Sequence, residues 1–255
     1  MTKDTIFQSI RRLAPLALVV TTTLLPATTA AGEPLALQPF SATFQVKYGL
    51  LRGTMTLALE RSDHGYVYET TLSPAGVAGW FKHGTISERT QLVEVNGTIV
   101  PLDYDSTDTI ANPTRHTHYA FDQQQGRVTG RYKTQDIDVP LRPGGHNRIS
   151  AHIALLAALQ SNADIATFSV FDRARWRDFR VAINRDQAVK TPAGTFDTVE
   201  VLYTQADKDR SWSMHFAQNV GYLPVLLVFR EGGKVKSRAQ LTEYTTGANV
   251  VSASG

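Results

Sequence analysis

From Phe40 onward the chain alternates. Phe40, Ala42, Phe44, Val46 and Tyr48 are separated by Ser41, Thr43, Gln45 and Lys47. Successive side chains of a strand point to opposite faces of a sheet, so a period of two demands strands with one dry face and one wet face. The pattern recurs. Met55, Leu57 and Leu59 alternate with Thr54, Thr56 and, less cleanly, Ala58, while Tyr66, Tyr68, Thr70 and Leu72 face away from Glu69 and Thr71. Asp63-His64-Gly65 makes the turn between those two strands. Asn96-Gly97, between QLVEV and TIVPL, is the strongest short hairpin signal in the chain. QQQG at 123–126 joins HTHYAF to RVTGRY, and later strands read WRDFRVAIN, FDTVEVLYT, SWSMHFA, YLPVLLVF and KVKSRAQLTEY, with Gly194, Gly221 and Gly232-Gly233 at turns.

One stretch breaks the alternation. RISAHIALLAALQ, residues 148–160, is rich in Ala and Leu and reads as a helix, with Asn147 as its N-cap. Eight of the ten residues from Ser150 to Leu159 are apolar, so the helix needs cover on nearly every side. A sheet curved round it supplies that cover. The expected fold is therefore mainly β, a curved antiparallel sheet or incomplete barrel wrapped around one buried helix, in a single domain over residues 32–246. Residues 247–255 are expected to be a disordered tail. An outer-membrane barrel fits badly: its strands run about 9–11 residues, most runs here look shorter, and a mid-chain apolar helix has no place in it.

The N-terminus reads as an address. MTKDTIFQSIRR is polar and mostly positive, LAPLALVVTTTLL is an apolar run of 13 residues, and Pro26 and ATTAAG follow. That is the layout of a secretory signal peptide over residues 1–31, cleaved after Ala30 or Ala31. The run is short of the ~20 residues a membrane span needs, so no transmembrane span is expected after its removal. A periplasmic location follows. The formal charge of +3 falls to +1 once Lys3, Arg11, Arg12 and Asp4 are set aside, leaving 23 basic and 22 acidic residues. A chain that near neutrality has no global reason to seek nucleic acid. With 0 Cys, disulfides, thiolate metal sites and a Cys nucleophile are excluded.

Few residues announce chemistry. There is no G-x-S-x-G elbow, no phosphate loop and no G-x-G-x-x-G fingerprint, and no cofactor is expected. His116 and His118 share a strand face about 7 Å apart, but with no third ligand at a telling spacing they read as a wet face opposite Tyr119 and Phe121, and no metal is expected. His152 reads as a packed residue of the helix, and His215 points away from Trp212, Met214 and Phe216. Asp103 and Asp105 lie on one face of a strand end and are the best-placed carboxylate pair for acid–base work. The densest charge feature is FDRARWRDFRVAINRD. On an extended strand Arg173, Arg175 and Arg177 would share a face, with Trp176 interleaved, and could grip an anionic head group. Asp172, Asp178 and Asp186 reduce the stretch to a net +2. On the helix, Ile153 and Leu156 would touch a ligand if one flank faces a cavity.

Four segments, in order, resemble a bacterial family known as the domain of unknown function 3108: GTIVPLDYDS, NRISAHIALLAAL, VFDRARWRDFRVAI followed by TPAGTFDTVEV, and WSMHFAQNVGYLPVLLVF. The resemblance covers about Phe40 to Tyr244. The family's helix usually opens with an acidic residue where this chain has Asn147. The resemblance implies an exported β protein, similar in outline to the curved-sheet lipoprotein carriers of the periplasm, and brings no reaction, cofactor or catalytic set. The expected function is a non-enzymatic binding or carrier module of the cell envelope, for a lipid or other apolar or amphipathic ligand. The alternatives are an envelope hydrolase acting on sugar or peptide polymers through Asp103 and Asp105, and a structural module that binds an envelope protein partner through a strand edge.

Overall fold

Residues that are apolar at every second position cannot be dry on both sides of a sheet, and the structure, a computed structural model, disposes them accordingly. It describes residues 37–75, 84–205, 207–247 and 249–252; the expected signal peptide lies outside them. The elements run β1 (Phe40–Tyr48), β2 (Leu51–Ser62), β3 (Gly65–Ala75), β4 (Ile86–Val95), β5 (Thr98–Pro101), β6 (Asp103–Asp108), β7 (Arg115–Asp122), β8 (Arg127–Tyr132), β9 (Gln135–Pro140) and β10 (Gly145–Asn147). The helix α1 (Ser150–Ser161) follows, then β11 (Thr167–Asp172), β12 (Arg175–Thr191), β13 (Gly194–Gln205), β14 (Arg210–Ala217), a 3-10 turn at Gln218–Val220, β15 (Leu223–Glu231), β16 (Lys234–Thr246) and β17 (Asn249–Ser252).

All of these strands belong to one sheet. Its middle seam joins β1 to β16, with Val46 opposite Ala239 and Tyr48 opposite Ser237. From β1 the hairpins run through β2, β3 and β4, whose first half pairs with β6 and whose second half pairs with β5; β7, β8 and β9 complete that side. From β16 they run the other way through β15, β14, β13, β12 and β11 to β10, which lies parallel to β11. Among the described residues no ladder joins β9 to β10, so the sheet curls without closing. The residues expected as a tail include β17, which pairs with the last residues of β16.

The curl holds α1 inside, as its all-round apolar surface requires. Ile153, Leu155, Leu156 and Leu159 are all buried. The helix begins at Ser150, two residues later than its composition suggests, because Arg148 and Ile149 form the turn into it. The N-cap is Ile149, which makes no side-chain cap bond, rather than the expected Asn147. Asn147 holds the turn before it: its Oδ1 accepts from the amides of Ile149 (3.1 Å) and Ser150 (2.8 Å), and Ser150 Oγ accepts the amide of Asn147 in return (2.9 Å). Asn147 Nδ2 donates to Thr90 Oγ1 at 2.9 Å, tying the helix start to β4. At the other end Asn162 is left-handed, with φ 52°, and returns its amide to the Ala158 and Leu159 carbonyls.

Nine of the 17 strands in the described residues have 3 to 8 residues, as expected, but β2, β3, β4, β12, β13 and β16 have 10 to 17, as long as the strands of outer-membrane barrels or longer. What separates this sheet from such a barrel is the sense of its faces: Phe44, Leu57 and Tyr68 are buried in the core, Tyr68 beside His152 of α1, while Arg52, Thr54 and Thr56 stand exposed outside.

Candidate functional site

The dry face does not fill its own interior at the end where β1 turns into β2. Register places Tyr48 beside Leu51, Val46 beside Gly53, and Gly53 beside Pro74, all on the helix side of the sheet. Gly53 contributes no side chain there. The result is a cavity of about 430 Å³ walled by Val46, Tyr48, Leu51, Leu72, Pro74 and Ile110, with Arg52 and Ser237 among its polar contributors. The wall continues sideways. Ser237 pairs with Phe229, and from Phe229 an aromatic run crosses five strands through Trp212 (4.9 Å between centroids), Tyr203 (5.7 Å), Phe179 (5.7 Å) and Phe168 (5.2 Å).

One inward step along β3 from Leu72, about 7 Å, the lining turns polar. Thr70 Oγ1 donates to Glu88 Oε2 at 3.3 Å, Tyr104 Oη donates to Glu88 Oε1 at 2.5 Å, and the Arg148 guanidinium grips both carboxylate oxygens through Nε and Nη2, each at 2.5 Å. Glu88 is only 8% exposed, whereas the Arg148 side chain is 41% exposed, and Nη1 has no partner among the described residues. Burial by itself would push the Glu88 carboxyl up. The Arg148 charge and hydrogen bonds, with the Tyr104 bond, outweigh burial and hold it below the usual range. His152, on α1 nearby, is driven down to about 4 by burial, so it is neutral, and its Nδ1 has no hydrogen-bond partner among the described residues. Ser150 Oγ lies 3.5 Å from His146 Nδ1, but it is fully buried and spent on the turn before the helix, so it is no nucleophile.

The structure spreads the residues singled out from sequence. Arg173 is not on a strand with Arg175 and Arg177: Arg173 and Ala174, with φ of 51° and 61°, form the two-residue turn between β11 and β12, and the expected row of three is broken. Arg175 is exposed at the start of β12. Arg177 turns inward, its side chain 10% exposed, with Nε 3.4 Å from Asp172 Oδ2. Trp176 donates Nε1–H to the Pro140 carbonyl at 3.1 Å, which ties β12 to the end of β9, and packs tilted against Phe171, 5.2 Å between centroids. Ile153 and Leu156 are 1% and 3% exposed in the core and do not line the cavity. Asp103 accepts the amide of Gln91 at 2.8 Å, and Asp105 pairs with His118 at 2.8 Å on the outer face, so the two carboxylates converge on no cleft. His116 lies on that face too, 3.3 Å from Thr107 Oγ1. His215 is buried on the face away from Met214 and Phe216, with Nε2 3.7 Å from Glu200. Among the described residues no group of three or more His, Asp or Glu is placed to hold a metal ion.

Sequence reasoning missed the Glu88–Arg148 pair. One signal was legible. Glu88 falls in phase with Ile86, Thr90 and Leu92, the dry positions of β4, and a carboxylate there needs a cation. Nothing in the sequence names Arg148, 60 residues on, as that cation.

A family described as a protein of unknown function, DUF3108, matches residues 41–236. No curated protein matches the chain. Among solved structures, the chain is similar to a β-barrel-like protein of the domain of unknown function DUF1849 from Brucella abortus, with 10% identity, a TM-score of 0.57, and coverage of 84% of this chain and 99% of that one. It is also matched to MucB in complex with MucA(peri), with 14% identity, a TM-score of 0.33, and coverage of 83% of this chain and 51% of that one. The first likeness is one of fold alone, and the second bears no weight.

Proposed function

For a chain that belongs to the DUF3108 family of proteins of unknown function, we propose the role of a non-enzymatic carrier or binding module for an apolar or amphipathic ligand. The observation that carries this reading is the apolar cavity between Val46, Leu72, Pro74 and Ile110. Its walls are apolar and partly exposed, Tyr48 at 55% and Leu51 at 50%, so a ligand can enter it from outside. The polar floor beside it, with Arg148 open on one side, suits a ligand with an apolar tail and a polar head. The scattered positions of Asp103 and Asp105 give the hydrolase reading no support.

Titration with a fluorescent polyunsaturated fatty acid tests the role. The probe is expected to bind one to one and to be displaced by palmitate. Val46→Trp, which puts an indole into the cavity, should weaken it by about tenfold or more, a loss of about 1.4 kcal/mol. A probe that does not bind the native chain, or binds V46W equally, overturns the proposal.

The same reading places the protein in the periplasm, after removal of residues 1–31. N-terminal sequencing of protein from the periplasmic fraction is expected to start at Ala31 or Gly32. Recovery of intact Met1 there, or of all the protein in the cytoplasm, excludes it.

A further inference from the structure

Among the described residues, five large hydrophobic side chains stand exposed, and four of them gather at one end of the sheet. Tyr48, Leu50 and Leu51, at the tip of the β1–β2 hairpin, are 55%, 99% and 50% exposed, and Val235, in the β15–β16 hairpin, is 50% exposed. The two hairpins are neighbours, because Tyr48 pairs with Ser237 across the β1–β16 seam. A lone exposed leucine means nothing, but an apolar cluster on adjacent tips marks a contact surface.

The charges around these tips are mostly positive; the exception, Glu231, lies opposite Lys234. Arg52 lies directly opposite Lys47, and Lys47 directly opposite Arg238, so three cations stand in a row across β2, β1 and β16. Like charges placed opposite one another on a sheet repel. Lys234 and Lys236 add to them in the same hairpin, all five are exposed, and none forms an ion pair among the described residues. The neighbouring Glu231 is already held by Arg210 at 2.5 Å. At two other places cross-strand charges are matched: Glu69 sits opposite Arg89, and Arg131 opposite Asp136, each as an ion pair. The row of Arg52, Lys47 and Arg238 has no such match. It coincides with the apolar tip.

We propose that this end of the sheet docks on an anionic phospholipid bilayer, with Leu50 and its neighbours entering the interface and the cationic row meeting the phosphates. An anionic bilayer offers both chemistries at one surface, negative charge outside and hydrocarbon just beneath. The knob of Leu50 on a narrow two-residue turn suits penetration of a soft interface. An inorganic anion would have no use for it. Where the carrier reading also holds, the mouth of the cavity, flanked by Tyr48, Leu51 and Arg52, opens at the docked surface, and the ligand passes between bilayer and cavity without crossing water. The docking itself does not depend on that reading.

Flotation of the mature chain with vesicles of phosphatidylethanolamine and phosphatidylglycerol, against vesicles of phosphatidylcholine, decides it. Binding is expected to the phosphatidylglycerol vesicles, to fall by about tenfold or more when ionic strength is raised to about 0.5 M, and to be weak on phosphatidylcholine. Leu50→Asp and Lys47→Glu should each reduce it by about tenfold. Neither variant should lower the melting temperature, because Leu50 touches solvent and Lys47 is flanked by cations. No flotation of the native chain, or flotation equal on both lipids and untouched by salt and by both variants, overturns the proposal. Fatty-acid probe binding measured on the same variants separates the two readings. A chain that binds the probe but not vesicles loses only the docking surface, and one that binds vesicles but not the probe loses only the carrier.

Discussion

Arg148→Met is expected to destabilise the fold by about 3–5 kcal/mol near neutral pH, because it leaves a buried carboxylate without its cation. Glu88 is 8% exposed and receives two of its four hydrogen bonds from Arg148. In the native chain its carboxyl sits below the usual range, so its contribution to stability is present above the unfolded value and is lost as pH falls through the lower, folded value. In the variant burial is opposed by the Tyr104 bond but no longer by Arg148, and the carboxyl moves up from its native value. The penalty is then greatest at high pH and is relieved on acidification, as the buried group takes up its proton. The deficit of R148M relative to the native chain should therefore shrink between about pH 8 and pH 5. Glu88→Gln should cost less, since the Arg148 side chain, 41% exposed, can turn to water. Urea unfolding of the three chains at both pH values checks this, and a deficit of R148M that does not change with pH would show that Glu88 is not the charge being held.

Leu156→Ala should cost about 2–5 kcal/mol through lost burial and the void it leaves. Leu156 is 3% exposed, within the curl of the sheet. It is not part of the cavity wall, so fatty-acid binding by the folded variant should match the native chain. Urea denaturation gives the first quantity and probe fluorescence the second. A large loss of binding in L156A at full folding would mean that the helix lines the ligand space after all.

The strands were legible because their signal is local. Period-two runs such as Phe40–Tyr48 carry their own inside and outside, and Asn96-Gly97, with φ of 52° and 75°, is the tight left-handed turn that its residue types prescribe. The buried helix was legible for the same reason. The Arg173 turn was not, because Arg and Ala at a left-handed turn obey no residue preference; register between β11 and β12 imposes it. The polar floor failed for a different reason. Glu88 and Tyr104 come together when β4 pairs with β6, but Arg148, from the turn before α1, reaches them only once the sheet has curled. The cavity is less legible still, because it is defined by what Gly53 does not fill between Val46 and Pro74.

The seam between β1 and β16 also governs the order of folding. Thr242 Oγ1 donates to the Thr43 carbonyl across 199 residues of chain, at the centre of the sheet. Every other long pairing, β2 with β3 or β12 with β13, closes a hairpin that can form as soon as its own residues are free. The seam cannot, and pairings so distant in sequence are the slow ones. Until β16 arrives, β1 presents Phe44 and Val46 on a bare strand edge, the kind of edge that pairs with another chain. Losing the last twenty residues would therefore not trim an edge of the sheet. It would leave two half-sheets with no strand ladder between them, held only by side-chain ties such as Asn147 to Thr90 and Trp176 to Pro140, and the bare edge would become permanent.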